Sequence, residues 1–494
     1  MFYTLDDPYI HLALAENLLH GHYGINPGEV ASPSSSILYP ILLAVLGAGP
    51  YAPMVLNLIG ALGSAYILSG LLWEAFGKDQ TRLSPLLVLT MVALLAAANG
   101  YALALTGMEH TLHMLASLLI LRGLTRLDRQ SPPDILMILG LLTAPLLRFE
   151  GFALTLAALG ALAIWGHWRS ALAVGVALVA VVLGYIGVMQ HLGLPPLPSS
   201  VLVKSSASAA AIDQSMASAI AEQFTKLTKS LDTLSARWLI GGMAMLCFAF
   251  IPPLDRRRVT VALVVGAAAT AHILVGQWGW YGRYEVYIMA TMAGAVLYVW
   301  TPILSAPKRA LLKKAVVLGI ALVAARIYVA PLLTTPMAAR NVHDQQYQMH
   351  RFATEFFPET VAVNDLGWVA YRNEAYVLDL WGLGSEIARK NRSAYGLRAD
   401  WIAEMAEDKN ATYAMIYPGL FADHIPGTWC LMGVIRTPRV TSAYENVGFY
   451  LIDPARQSEM RAAFDSFAAT LPPGTSSESV ACAPKAYDWT RWAE

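Results

Sequence analysis

The feature that most constrains this chain is a series of apolar stretches, most of them long enough to cross a bilayer. A helix of about 20 apolar residues spans the hydrocarbon core of a membrane. The series predicts a polytopic α-helical membrane protein with about ten spans, near residues 51–76, 84–105, 108–127, 134–147, 149–165, 170–191, 238–252, 259–277, 283–303 and 311–333. The composition agrees with this class, since 56% of the residues are hydrophobic and 14% are charged.

The last third of the chain has a different composition. Residues 340–494 contain 33 of the 68 charged residues, 14 of them basic and 19 acidic. Alternating apolar stretches there predict strands at Thr360–Asn364, Ala375–Leu380 and Tyr413–Tyr417, with helices over 343–357, 383–392 and 399–409. We therefore expect three parts: a first outer loop at 1–50, a transmembrane helical domain at 51–335 with an outer loop at 192–237, and a soluble α/β domain at 336–494.

The distribution of basic residues predicts which loops lie in the cytoplasm. One alternate set of loops carries 13 basic residues, including Arg256–Arg258 and Lys308–Lys314, whereas the opposite set carries six outside the C-terminal domain. The positive-inside rule places the first set in the cytoplasm. The N-terminal segment and the C-terminal α/β domain are then predicted on the extracytoplasmic, periplasmic side of the cytoplasmic (inner) membrane.

Two further expectations follow from this topology. The apolar run Ile37–Gly47 is predicted as a surface or re-entrant helix, because counting it as a span would invert every later loop. The chain would also begin on the outer face without a preceding span, and no cleavable signal peptide opens it. We therefore expect one more transmembrane helix before the present N-terminus.

Two adjacent carboxylates open the first outer loop. Asp7 precedes Pro8, a residue that suits the first turn of a helix, so Asp7 is predicted to cap that helix. A capping carboxylate is stabilised in its charged form and is therefore a poor base. Asp6 is then the freer group, and the sequence predicts Asp6 as the catalytic residue with Asp7 as its support.

Further ionisable residues share the predicted outer boundary of the membrane, where charges are costly and are candidates for function. They are Glu109, Arg148, Glu150, Lys204, Arg283 and Glu285. The simpler explanation is mutual pairing, of Arg148 with Glu150 or Glu109 and of Arg283 with Glu285. Cations beside carboxylates also suit a substrate with a phosphate leaving group, because cations bind phosphate while a carboxylate accepts a proton from a hydroxyl.

Other residue types narrow the range of functions. The formal net charge of zero argues against a nucleic-acid partner. The cysteines have no metal-ligand spacing, although an extracytoplasmic compartment would permit a disulfide between Cys430 and Cys482. His11 is open to two interpretations, a partner that orients Asp7 or shares a metal with it, and an ordinary interfacial histidine. A divalent metal that bridges Asp6, Asp7 and a phosphate is compatible with the sequence, but nothing in the sequence requires one.

The first outer loop contains the stretch DDPYIHLALAENLLHGHYGINPGE, followed by SPSSSILYPILLA. Both resemble the first outer loop of the GT-C class of polytopic glycosyltransferases, in its arabinofuranosyltransferase-like, polyprenyl-phosphate-sugar-dependent branch. Four later stretches of this chain resemble further motifs of that branch: TGMEH (106–110), LLRFEG (146–151), PLPSSVLVK (196–204) and GRY (282–284). The stretch VAVNDLGWVAYRNEAYVLDLWGL (361–383) is similar to the signature of its C-terminal outer domain. Gln277, Phe149 and Ser199-Ser200 depart from the residues usual in the branch.

The resemblance implies a GT-C-like fold and a membrane lipid, a polyprenyl-phosphate sugar, as donor. A hexosyl or pentosyl group would pass to an extracytoplasmic acceptor hydroxyl on a cell-envelope glycan, lipid or protein. It also implies that the first Asp of the pair, Asp6, is the base. We expect Arg148, Lys204 and Arg283 to hold the donor phosphate, and the other substrate-binding residues to be Glu109, Glu150 and Tyr284.

Two kinds of alternative stay open at this point. The same scaffold would suit a protein mannosyltransferase or a lipid A aminoarabinose transferase. A transporter or a lipid-binding membrane protein would need no chemistry, although transporters often have duplicated halves and the sequence has no evident internal repeat.

Overall fold

The computed structural model describes residues 2–76, 84–202 and 216–483. Up to residue 344 the described chain consists of helices and the loops that connect them. The helices are α1 (Asp7–Leu19), α2 (Tyr39–Val45), α3 (Ala52–Phe76), α4 (Pro85–Ala97), α5 (Gly100–Leu103), α6 (His110–Thr125), α7 (Ile135–Leu147), α8 (Gly151–Ile164), α9 (Trp168–His191), α10 (Met216–Asp232), α11 (Leu234–Leu246), α12 (Arg256–Val275), α13 (Val286–Val299), α14 (Thr301–Leu304), α15 (Ala310–Ala325) and α16 (Val329–Asp344).

Each predicted span coincides with one or more of these helices. Within the described ranges, four helical segments are long and apolar enough to cross a membrane by length and composition: Ala52–Phe76, Trp168–His191, Arg256–Val275 and Ala310–Phe356. A pair of helices bent by 85°, Thr225–Asp232 and Leu234–Phe250, passes the same test when taken together. Helices α4, α7, α8 and α13 are shorter apolar helices. The predicted polytopic helical class is confirmed.

The short helices α6, α7 and α8 end in charged residues on the side that faces the C-terminal domain, which we call the upper side. Glu109 precedes α6, Arg148 follows α7 and Glu150 precedes α8. At 1.5 Å per residue these helices are about 20–24 Å long, which is less than the roughly 30 Å of a hydrocarbon core. Their charged ends therefore form the floor of a depression between longer neighbours.

The first outer segment, residues 2–50, does not lie on the surface as an amphipathic helix would. Residues Pro8–Ala15 of α1 are all buried. Helix α2 has seven residues and is about 10 Å long, which is too short to cross a membrane. The predicted capping of α1 by Asp7 is wrong, because the helix begins at Asp7 itself and the N-cap residue Asp6 makes no side-chain capping hydrogen bond.

The C-terminal domain is a mixed sheet with helices on both faces. Its strands are β1 (Val361–Val363), β2 (Val377–Asp379), β3 (Tyr413–Ile416), β4 (Cys430–Arg436), β5 (Asn446–Leu451) and β6 (Ser476–Ala483). Their order in the sheet is β2-β1-β3-β5-β4-β6, with β1 parallel to β2 and β3 and the remaining pairs antiparallel. The predicted strands at Thr360–Asn364, Ala375–Leu380 and Tyr413–Tyr417 are confirmed.

The helices of this domain are α17 (Gln346–Arg351), α18 (Gly367–Ala370), α19 (Glu386–Tyr395), α20 (Ala399–Asp408), α21 (Pro418–Phe421) and α22 (Gln457–Ala468). Successive residues of a strand point to opposite faces, so Val361 and Val363 pack on the face of α22 whereas Ala362 packs on the face of α19 and α20. This gives a three-layer α/β domain. Cys430 and Cys482 form a disulfide with Cα atoms 5.1 Å apart.

The first outer segment is attached to the edge of this sheet. The side chain of Asn26 pairs with the main chain of Val377 in edge strand β2, donating at 2.9 Å and accepting at 2.8 Å. The carboxylate of Glu29 accepts from Lys409 at 2.9 Å. The ring of Tyr9 stacks on Trp368 with centroids 4.0 Å apart. Segments far apart in sequence are thereby held together above the membrane helices.

The predicted topology is tested by labelling single cysteines from outside intact spheroplasts. In a background with exposed Cys247 replaced by serine, we expect a membrane-impermeant thiol reagent to label exposed positions 20 and 390 but not exposed position 305. Lysed cells, in which all three positions should react, provide the control for accessibility. Labelling of position 305 in intact cells would place the C-terminal domain in the cytoplasm.

Candidate active site

A cavity of about 650 Å³ lies between the upper ends of the membrane helices and the C-terminal domain. Its volume is within the range of small-molecule sites. Three parts of the chain line it: the first outer segment with Asp7, Ile10 and His11, the helix ends with Arg148, Trp278, Trp280, Arg283 and Tyr284, and the C-terminal domain with Trp381, Arg392 and Leu397. The fold therefore brings most of the predicted site residues to one place.

Arg148 lies at the centre of a buried ion-pair network. Its Nη1 is 2.8 Å from Glu109 Oε1 and its Nη2 is 2.9 Å from Glu150 Oε1. Ser35 donates a hydrogen bond of 3.0 Å to the same oxygen of Glu109. The predicted pairing of Arg148 is confirmed with both carboxylates. Two negative charges on one guanidinium neutralise it, so the network joins the ends of α6, α7 and α8 but leaves no positive excess on Arg148.

Arg283 pairs with the first outer segment. Its Nη1 lies 2.8 Å from Asp7 Oδ2, and its Nη2 donates to the Tyr284 hydroxyl at 3.2 Å. The ring of Tyr284 lies between the two arginines, 5.2 Å from the guanidinium carbon of Arg148 and 5.1 Å from that of Arg283. The predicted pairing of Arg283 with Glu285 is wrong, because Glu285 instead accepts hydrogen bonds from neutral donors.

Asp6 faces the C-terminal domain and is not one of the residues that line the cavity. Its Oδ1 accepts a hydrogen bond of 2.9 Å from the main-chain N–H of Trp368, and its Oδ2 is fully buried. The neighbouring carboxyl of Asp365 accepts hydrogen bonds from Tyr417 at 2.5 Å and Gln346 at 3.0 Å. Burial, and then repulsion from Asp365, raise the pKa of Asp6 well above its ordinary value; burial also raises the pKa of Asp365.

The structure thus separates the two carboxylates of the pair. Asp7 projects into the cavity, whereas Asp6 is held in the contact with the C-terminal domain, which is the reverse of the predicted division. The sequence pattern was misleading because α1 begins at Asp7 itself, so that Asp6 rather than Asp7 occupies the N-cap position. Lys204, the third predicted phosphate ligand, lies outside the described residues.

The carboxylates of the first outer segment do not form a metal cluster with their neighbours. No group of three or more His, Cys, Asp and Glu side chains in the described part of the chain is arranged to hold a metal ion. Asp7 is bound to Arg283, and Asp6 is bound to the main chain of Trp368. His11 donates to or accepts from Ser34 at 3.0 Å and lies 3.9 Å from Glu109.

The sequence alone assigns no role to Asp365, Trp381 or Arg392. Asp365 and Trp381 do lie within the stretch 361–383 that resembles a C-terminal outer domain, and this resemblance is the signal that could have identified them. Arg392 follows nine residues after that stretch ends and has no such signal. Its position in the cavity depends on how the C-terminal domain docks, which local sequence does not specify.

A second cavity, of about 1090 Å³, lies among α4, α11, α13 and α15. It is lined mainly by apolar side chains, with Lys308, Arg309 and Lys313 at one end. None of the residues lining it is a carboxylate. Since glycosyl transfer to a hydroxyl needs a proton acceptor, the cavity beside Asp7 is the better candidate for chemistry.

Comparisons with known proteins concern the fold. Residues 340–451 match a family model described as "Domain of unknown function (DUF8728)", and no curated protein sequence matches the chain. The chain is similar to the crystal structure of ArnT from Cupriavidus metallidurans bound to undecaprenyl phosphate, with 11% identity, a TM-score of 0.46, and coverage of 90% of this chain and 93% of that chain. It is also similar to the oligosaccharyltransferase of Archaeoglobus fulgidus in complex with zinc and sulfate, with 12% identity, a TM-score of 0.44, and coverage of 87% and 68%.

The Arg148 network predicts unequal effects of two matched substitutions. Glu109 is fully buried, whereas the side chain of Glu150 is 18% exposed. Removing one partner of a buried pair costs about 3–5 kcal/mol, so Glu109→Gln should lower the Tm of the detergent-solubilised protein more than Glu150→Gln does. A larger loss for Glu150→Gln would contradict the structural role given to Glu109.

The Asp6–Asp365 contact predicts a pH-dependent stability. A raised carboxyl pKa means that the folded protein binds the proton more tightly than the unfolded chain. The stability is therefore fully present below the ordinary pKa of 3.8 and is lost as the pH rises through the folded-state pKa of Asp6. We expect Tm to fall as the pH rises above the ordinary pKa of 3.8, and to fall less in Asp365→Asn.

Differential scanning fluorimetry of the full chain measures this slope. The variant Asp465→Asn, at an exposed position on α22, is the control and should keep the wild-type slope. Identical slopes for wild type and Asp365→Asn would show that Asp365 does not raise the pKa of Asp6.

Proposed function

We propose that this chain is an inverting membrane glycosyltransferase that moves a sugar from a polyprenyl-phosphate donor to an acceptor hydroxyl outside the cytoplasm. The observation that carries the proposal is the position of Asp7. Among the residues that line the cavity of about 650 Å³, Asp7 is the carboxylate, and arginines and aromatic rings surround it. A proton acceptor beside cations suits transfer from a phosphate leaving group.

In the proposed reaction Asp7 accepts the proton of the acceptor hydroxyl. The hydroxyl oxygen forms a bond to the anomeric carbon of the donor sugar, and the bond from that carbon to the phosphate oxygen breaks. The electron pair of the broken bond stays on the phosphate, which leaves as polyprenyl phosphate. Because phosphate is a stable anion, the reaction needs a base but no strong general acid.

Arg283 would link donor binding to the activation of Asp7. The guanidinium lies 2.8 Å from the Asp7 carboxylate, and this pairing stabilises the charged form and weakens Asp7 as a base. A donor phosphate close to Arg283 would compete for its N–H groups and loosen this pair. Asp7 would then gain basicity when the donor is in place, and futile deprotonation without donor is disfavoured.

Trp278 and Trp280 support a saccharide ligand. Both line the cavity, and the side chain of Trp280 is 56% exposed despite its size. Trp280 and Tyr281 have φ values of 47° and 67°, in the left-handed region that non-glycine residues rarely adopt, so the turn holds the rings in an unusual orientation. Flat aromatic rings present apolar area and a polar edge at low entropic cost, which suits the faces of a sugar ring.

The other predicted substrate-binding residues receive different roles in this proposal. Arg148, Glu109 and Glu150 position the helix ends and the ring of Tyr284 rather than contacting phosphate directly, since their charges satisfy one another. Lys204 stays a predicted phosphate ligand. The same geometry suits a hexosyl or a pentosyl donor, so a protein mannosyltransferase or a lipid A aminoarabinose transferase remains an alternative on this scaffold.

The disulfide supports an extracytoplasmic location for the site. Cys430 and Cys482 are bonded in the domain that closes the cavity, and such bonds persist in oxidising compartments. With the basic loops on the opposite side, the site would face the periplasmic side of the cytoplasmic membrane, where cell-envelope acceptors are assembled.

Matched substitutions at adjacent positions test the proposal. Asp7→Asn should lower transfer by roughly 10²–10⁴-fold, because an amide does not accept the proton. Asp6→Asn makes the same isosteric change one residue away and should retain most of the activity, because Asp6 does not line the cavity and an amide oxygen can still accept the N–H of Trp368. The measurement is transfer from a panel of radiolabelled polyprenyl-phosphate sugars by the full chain in proteoliposomes, together with glycan analysis of a deletion strain complemented with each variant.

Two results would contradict this assignment. Full activity of Asp7→Asn would remove it as the base. Loss of activity in Asp6→Asn at wild-type stability, with Asp7→Asn active, would restore the assignment predicted from the sequence.

Absence of any glycan change in the deletion strain, combined with no transfer from any donor in the panel, would favour a non-catalytic lipid-binding or transport protein.

A further inference from the structure

Arg392 of α19 lines the cavity from the C-terminal domain. Its guanidinium carbon lies 3.8 Å from the centroid of the Trp381 ring, which also lines the cavity. This is closer than the 5.1–5.2 Å that separate Arg148 and Arg283 from the ring of Tyr284. A guanidinium held flat on an indole keeps its N–H groups in a fixed plane, ready for a ligand of matching geometry.

The charge of Arg392 is not neutralised as the charges of the other cavity arginines are. Arg148 is bound by two carboxylates and Arg283 by Asp7. Among residues that the structure describes, Arg392 forms no ion pair, and its buried Nη1 has no hydrogen-bond partner. Burial lowers the pKa of Arg392, and the nearby Asp379 carboxylate, which forms no ion pair with it, opposes this shift only in part. A buried donor of this kind is satisfied when a ligand oxygen reaches it.

The loop that carries Trp381 is held in place by hydrogen bonds to a buried carboxylate. The buried carboxylate of Asp379 accepts hydrogen bonds from the main-chain N–H groups of Trp381, Leu383 and Gly384 at 2.6–2.8 Å. Gly382 has φ of 88°, and a Cβ there would lie 2.6 Å from the main chain of Arg389 in α19. The loop therefore passes so close to α19 that only glycine fits, which holds Trp381 against Arg392.

We propose that Arg392, held on the Trp381 ring, binds the phosphate of the lipid carrier, so that the C-terminal domain supplies part of the donor site. The inference rests on the proposed function, because the anion is taken to be a polyprenyl phosphate. Arginine binds phosphate through two parallel N–H groups, and a partner-free guanidinium in a partly buried cavity forms such a contact without first breaking an ion pair.

The contact would strengthen as the reaction proceeds. The donor is a phosphodiester with one negative charge, and the leaving polyprenyl phosphate gains a second as the bond from the anomeric carbon breaks. A fixed cation close to that phosphate stabilises the transition state more than the ground state. Loss of Arg392 should therefore lower kcat as well as raise the KM for the donor.

Binding of farnesyl phosphate, with farnesol as the neutral analogue, tests the phosphate contact. The full chain is reconstituted in phosphatidylcholine nanodiscs, which present no competing anionic lipid. We expect Arg392→Gln to weaken farnesyl phosphate binding roughly ten- to a hundredfold, the loss typical of a hydrogen bond to a charged group, and to leave farnesol binding unchanged. The matched control is Arg389→Gln on the same helix, since Arg389 is already paired with Glu386 and does not line the cavity.

A second variant covers the case in which Arg392→Gln does not fold. Arg392→Lys keeps the charge but loses the planar fork and should bind farnesyl phosphate with intermediate affinity. Unchanged affinity for farnesyl phosphate in Arg392→Gln, or in Arg392→Lys if Arg392→Gln does not fold, would overturn the proposal. Displacement of farnesyl phosphate by an equal concentration of inorganic phosphate would also overturn it, because the site would then bind free phosphate rather than the lipid carrier.

The binding assay separates this inference from the proposed reaction, since it involves no sugar. If farnesyl phosphate binding depends on Arg392 but no sugar donor is turned over by the wild type, the phosphate site is supported and glycosyl transfer is not. If Arg392→Gln transfers sugar with wild-type kcat and KM, the phosphate site is wrong and the proposed reaction is unaffected.

Discussion

The contact of Asp6 with the C-terminal domain is the interaction on which the site depends. Asp6 accepts the N–H of Trp368 and adjoins the carboxyl of Asp365, while Tyr9 stacks on the Trp368 ring. These contacts bring the C-terminal domain down over the short helices, whose charged ends would otherwise be open to solvent. Because Asp6 turns towards that domain, the next residue in the first helical turn, Asp7, turns towards the cavity. One carboxylate contacts the C-terminal domain and its neighbour lines the cavity.

The charges around the cavity differ in how far they are already satisfied. Arg148 is shared by Glu109 and Glu150, a buried arrangement that defines where three helices end. Arg283 holds a single carboxylate, which a stronger anion would replace. Arg392 is stacked on an indole, and within the described chain it has no anionic partner. The three arginines of the cavity thus range from fully paired to unpaired among the described residues, and the proposed phosphate contacts use the two that are less paired.

The sequence predicts the elements of this protein better than it predicts the contacts between them. Apolar length identifies the membrane helices, and the alternating pattern identifies Val361–Val363 and Tyr413–Ile416 as strands, because these signals are local. The same reasoning brings Glu109, Arg148 and Arg283 to one side of the membrane. It does not predict which way Asp6 and Asp7 point, since this depends on contacts with residues more than 350 positions away in the sequence. Arg392 is missed for the same reason, because only docking places it in the cavity.

Photo-cross-linking with a diazirine-bearing farnesyl phosphate tests most directly whether a lipid phosphate binds between the two domains. The probe carries the reactive group next to the phosphate, and labelled peptides of the full chain in nanodiscs are identified by mass spectrometry. We expect labelled peptides from both sides of the cavity, within residues 277–284 of the membrane domain and 381–397 of the C-terminal domain. Excess unlabelled farnesyl phosphate should suppress the labelling of both. Labels confined to the second cavity, around Trp300 and Leu312, with none in the C-terminal domain, would contradict binding of the lipid phosphate between the two domains.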